Sequence, residues 1–133
     1  MTTSHDISFR LPTASPNQQY VTVSALIGGY ITLSDHFFVR PAEKGAKRTV
    51  PSLAFLITHP GPAHAPFGQD HKPYRLLFDL GLRRGKDRYA PALQKHIEGR
   101  SPFKLEPGVA HYLREGGLDA NDVDSVLLSH VSQ

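Results

Sequence analysis

LDANDVDSVLLSHVSQ, from Leu118 to Gln133, is the stretch whose reading decides the fold. Asp119 is placed to cap one helical turn holding Asn121 and Asp122, because a side-chain oxygen at that position accepts a free backbone N–H. Val126 to His130 then read as an apolar strand of the buried type. A helical turn running straight into such a strand belongs to an α/β arrangement, in which the strand delivers its last residue, here His130, to the sheet edge where ligands sit. Upstream, a helix begins near Pro107 with Val109, Tyr112 and Leu113 on one face, and Gly116-Gly117 stops it. Leu118 is then the apolar contact of a Schellman cap. Ala90 to Glu98 predicts a second short amphipathic helix: Leu93 and Ile97 lie at i, i+4, Pro91 sits in the first turn and Gly99 closes it.

Strands are expected further back. Ser52 to Thr58 (SLAFLIT) is a near-continuous apolar run, the pattern of a strand covered on both faces. Tyr74 to Leu80 (YRLLFDL), ended by Gly81, is its expected neighbour. Between them, His59 to Pro73 holds Pro60, Pro62, Pro66 and Pro73, so it reads as a loop. Tyr20 to Ile27 is a strand rich in β-branched residues. Gly28-Gly29 is a turn or bulge, and Tyr30 to Leu33 resumes the alternation, as a hairpin would. Arg40 to Val50 reads as a surface loop. Residues 1–18, with Pro12 and Pro16 and no periodicity, read as a flexible arm preceding a domain over 19–133. Strands, then helices, then a strand, with no internal repeat, predict an α/β (α+β) fold.

Composition narrows the function classes. A length of 133 residues suits one domain, and the absence of cysteine excludes a disulfide framework, a thiolate metal site and a cysteine nucleophile. The longest mostly apolar run, Tyr20 to Leu33, falls short of the ~20 residues of a membrane span. No signal or transit pattern opens the chain, so a cytoplasmic location is expected. The net charge of +3 comes from 15 basic and 12 acidic residues, too even a balance to point to nucleic acid.

On these residues the chain resembles the N-terminal half of the metallo-β-lactamase superfamily, closest to its lactonase-like hydrolases. Leu77-Phe78-Asp79-Leu80-Gly81 matches an Asp-bearing strand end, and Gly117-Leu118 through Asp122-Val123-Asp124 matches the family's helix-to-strand passage into H-x-H-x-D-H. Here Ser129-His130-Val131 is followed by Ser132, where the family has its second histidine, and the sequence stops at Gln133. The resemblance implies an αββα sandwich whose first layer is a mixed sheet with flanking helices, here as a partial domain over 19–133. It implies His130 as a zinc ligand, Asp79 as structural support of the site, and zinc-dependent hydrolysis of a lactone or other small acyl substrate. A catalytic zinc takes three protein ligands and one water. With one matching histidine the chain is expected to be truncated inside the metal motif and inactive alone. It is also expected to self-associate through the exposed surface of a half-fold.

Other readings stand beside this one. His130 also reads as a strand-end histidine without a ligand role, and Asp79 as the cap of the turn after its strand. His59, His64 and His71 share the Pro-rich loop and offer an alternative metal cluster. Leu82 to Tyr89 (LRRGKDRY) is a basic run with Tyr89 as a stacking face, so the competing class is a small basic module contacting nucleic acid or a protein partner. No accompanying nucleic-acid motif supports that class. Neither a phosphate loop nor a nucleophile elbow is present.

Overall fold

Two long antiparallel strands carry the sheet in the computed structural model, which describes residues 12–61 and 72–130. Strand β1 is Thr22–Ser34 and β2 is Lys47–His59, paired from Thr22↔Thr58 to Ser34↔Lys47. Strand β3, Tyr74–Phe78, lies antiparallel to β2, and β4, Ser125–Leu127, lies parallel to β3. The resulting four-stranded mixed sheet has the order β1-β2-β3-β4. Helices α1, Pro91–Glu98, and α2, Val109–Glu115, occupy the connection from β3 to β4. This is the expected α/β class. No helix among the described residues is long and apolar enough to cross a membrane. Residues 12–21 are exposed and outside the sheet, with one turn in which Gln18 N–H donates to the Ser15 carbonyl, and residues 1–11 of the expected arm lie outside the described residues.

Local chemistry sets the helix ends where the sequence placed them. Leu118 N–H donates to the Leu113 carbonyl and Gly117 N–H to that of Arg114, the two bonds of a Schellman cap, with Gly117 at φ +77°. Asp119 accepts from Asn121 N–H while Asp122 reaches back to Asp119 N–H, closing a capping box around the turn Ala120–Asp122.

The glycine pair behaves differently from a hairpin turn. β1 runs through Gly28-Gly29 as one strand of 13 residues, with the register slipping between Ile27 and Tyr30. This is a bulge, which inserts unpaired residues without reversing the chain. Beyond it, Lys47 to Val50 pair with Ile31 to Ser34, so the end of the expected Arg40–Val50 loop is strand. Arg48 donates to Asp35 through Nε and Nη2 and ties this end of the hairpin together. His59, expected in the loop, is the last residue of β2. β3 and β4 are in turn shorter than expected, leaving Asp79 and Ser129-His130 just past their ends.

The core lies on one face of the sheet. Leu26, Ala54, Leu56 and Leu77 point to that face and are buried by Val109 and Leu113 of α2. On the opposite face Val23, Leu53 and Leu127 are 56%, 43% and 45% exposed. Two expectations of full burial therefore fail. SLAFLIT is covered on one side, and Val126, Leu127 and Leu128 are each about half exposed, at 50%, 45% and 49%. An apolar run reports that a strand wants two covers; the described residues supply one.

The bulge matters because it lets the backbone after β3 close on β1. Leu82 N–H donates to the Gly28 carbonyl at 2.7 Å, and a Cβ on Gly28 would lie 2.4 Å from Gly81 Cα. Gly81 also sits at φ +68°. Gly28→Ala or Gly81→Ala is expected to cost ~2 kcal/mol or more by overpacking, the second adding left-handed strain. Gly45→Ala, at φ +81° in open space, is expected to cost only the strain, ~1 kcal/mol. Urea unfolding of the three variants checks the order.

Candidate functional site

The parallel pairing of β3 and β4 brings Asp79 and His130, 51 positions apart, to the same end of the sheet. The ladder itself is short, from Leu76↔Ser125 to Phe78↔Leu127. At its start Asp124 accepts from Arg75 N–H at 2.8 Å and donates its own N–H to the Arg75 carbonyl at 2.9 Å. Tyr74 and Ser125 share a hydroxyl contact beside it. At its far end Asp79 N–H donates to the Leu127 carbonyl. The Asp79 carboxylate then takes two bonds from one residue: Ser129 N–H at 2.8 Å and Ser129 Oγ–H at 2.7 Å. These donors, the backbone one foremost, hold the Asp79 carboxyl below the usual carboxylate range, against a smaller opposing effect of burial. Asp79 is thus ionised at neutral pH.

Asp79 adopts φ +61°, the one non-glycine left-handed residue among those described. Aspartate tolerates this region better than most residues. The conformation turns its carboxylate across to β4 instead of along β3.

Ser129 fixes the state of its neighbour. Its hydroxyl has one proton, which goes to Asp79, so toward His130 Nδ1, 2.9 Å away, it offers a lone pair. The neutral imidazole completes that contact only by carrying its proton on Nδ1. The Nε2 lone pair is then left free to bind a proton or a metal. Ser129 was not among the residues singled out from the sequence. The signal was present as a hydroxyl directly before His130, but its meaning needs the β3/β4 register.

The remaining candidates are dispersed. His59 Nδ1 accepts from Gly61 N–H at 3.1 Å, closing the turn after β2, while His64 and His71 lie outside the described residues. In the basic run Arg84 pairs with Glu106 and Lys86 with Glu98. Tyr89 is partly buried and lines an apolar cavity, where desolvation raises its phenol above the usual range. Among the described residues no group of three or more His, Asp or Glu stands close enough to hold a metal ion.

No family model, curated protein or solved structure matches this chain, so the site is read from its own chemistry.

Removing the Ser129 hydroxyl releases the constraint on the ring. In Ser129→Ala the neutral His130 is expected to shift from the Nδ1–H tautomer toward the Nε2–H form that free imidazole favours, read from long-range 15N–1H correlations of the assigned ring. An unchanged tautomer balance would show that Ser129 does not set it.

Proposed function

We propose that this chain carries the first zinc-ligand strand of a metallo-β-lactamase-like hydrolase acting on a lactone or other small acyl compound, with its sheet as one layer of an αββα sandwich. The observation that supports this reading is the Asp79–Ser129–His130 relay at the joint end of β3 and β4, which leaves Nε2 free where a ligand would approach. The uncovered apolar face of the sheet is in keeping with a second layer.

Fit to zinc is partial. His130 would supply one ligand through Nε2, but one imidazole neither holds a zinc against water nor depresses the pKa of a bound water, and three protein ligands are the rule. The other donors must come from beyond the described residues. We therefore read the chain by itself as a scaffold without turnover. The rival reading, a basic module, draws less support, since Arg84 and Lys86 are engaged by acids and Tyr89 faces a cavity.

Ser132→His would create the H-x-H spacing that the family uses. Its zinc affinity, measured by competition with a chromogenic chelator, is expected to rise at least tenfold over the parent chain, and the gain to vanish in His130→Ala/Ser132→His. Equal affinity in the two variants would remove His130 from the metal site. Zinc-dependent turnover of lactones or thioesters by the unmodified chain, lost in His130→Ala, would overturn the scaffold reading.

The same apolar face is proposed to self-associate when nothing else covers it. Light scattering after size exclusion is expected to show dimers or larger species, reduced by Leu53→Lys at the face's centre. A monomer at every concentration would count against it.

A further inference from the structure

A second region, built by other elements, has the character of a ligand site. Past the bulge, β1 is flanked on its free side by the chain leaving α1: Tyr30 exchanges both backbone bonds with Lys104, Thr32 N–H donates to the Arg100 carbonyl, and Thr32 Oγ1 donates to that of Pro102. This pairing holds α1 off the strand and leaves a cleft. Its larger part, a cavity of about 270 Å³, is walled by Ile31 of β1, Leu93 and Ile97 of α1, and Phe103. Its smaller part, about 220 Å³, is more polar and includes Lys47 of β2. His96 and Arg100, one turn apart, line both parts and stand at the junction. Neither lining contains an acidic side chain, and among the described residues Arg100 makes no ion pair.

We infer that this cleft binds a small amphipathic carboxylate, its alkyl chain in the cavity against Ile31, Leu93 and Ile97 and its carboxylate at Arg100, with His96 and Lys47 beside it. An apolar pocket with a few convergent polar groups is the usual form of a small-molecule site, and the apolar cavity here, about 270 Å³, falls just below the usual ~300–1,000 Å³, which selects a short chain. The planar guanidinium fork matches a carboxylate better than it matches a neutral hydroxyl. Three positive or donor groups with no acid opposing them exclude an amine of the same length. The inference does not rest on the strand-end histidine, since the two sites share no residue.

The probes are hexanoate, octanoate, octanol and octylammonium, titrated into the full chain and followed by backbone amide shifts. Octanoate is expected to give saturable shifts at Ile31, Ile97 and Arg100, and to bind about three- to fourfold tighter per CH₂ added over hexanoate. Octylammonium is expected to leave those amides unmoved. Arg100→Gln is expected to weaken octanoate at least tenfold, and Lys47→Gln to weaken it less, with unchanged thermal melts showing that both variants fold. The inference is overturned if octanol binds as tightly as octanoate, if Arg100→Gln binds equally well, or if the shifts fall on Leu53 and Phe55 of the open sheet face instead.

Discussion

A parallel ladder of three residues is too short to hold a strand by its own bonds, and parallel pairing is the weaker kind. β4 is held because an aspartate grips it at each end: Asp124 binds the backbone of Arg75 where the ladder starts, and Asp79 binds Ser129 where it stops. Each carboxylate takes a backbone N–H that the ladder does not reach. The position of β4, the direction in which it leaves the sheet and the setting of His130 all depend on these two grips. The left-handed backbone of Asp79 is the local cost of reaching across, about 1 kcal/mol for a residue of this type.

On this account the motif residues divide by task. Asp122 closes the capping box of the turn before β4, Asp124 sets the register, and Asp79 and Ser129 together orient the ring. None of the three aspartates needs to touch a substrate. Together they set where the His130 imidazole stands at the rim of the sheet. The glycine contact between Gly28 and Gly81 acts on the same region from the other side, since it fixes the backbone two residues beyond Asp79 against β1.

Among the described residues the sheet is covered on one face. Six buried apolar residues of these make the core between α2 and that face, while Val23, Leu53 and Leu127 on the other face stay about half exposed. This imbalance explains which expectations failed. The apolar character of SLAFLIT and of Val126 to Leu128 marks strands suited to cover on both faces, and hydropathy carries no information on whether the second cover is present. Lys47 to Val50 differ from expectation for the opposite reason: a polar, exposed stretch has no apolar period, yet it pairs because β1 continues past its bulge and presents a free edge. The role of Ser129 is not legible in the sequence because its partner Asp79 lies 50 residues earlier.

What the sequence determined by itself is what acts within about five residues. It set the Schellman stop at Gly116-Gly117, the capping box from Asp119 to Asp122, the proline entry to α1 and a strand over part of each of β1 to β4, because each rests on bonds, steric limits or side-chain patterns among near neighbours. Only the tertiary structure decided that Gly28-Gly29 is a bulge and not a turn, that one sheet face is open among the described residues, and that Ser129 stands between Asp79 and the Nδ1 of His130. Those outcomes depend on which strand lies alongside which. That choice is made by contacts between residues some 50 positions apart, whose energy appears only once the sheet has formed.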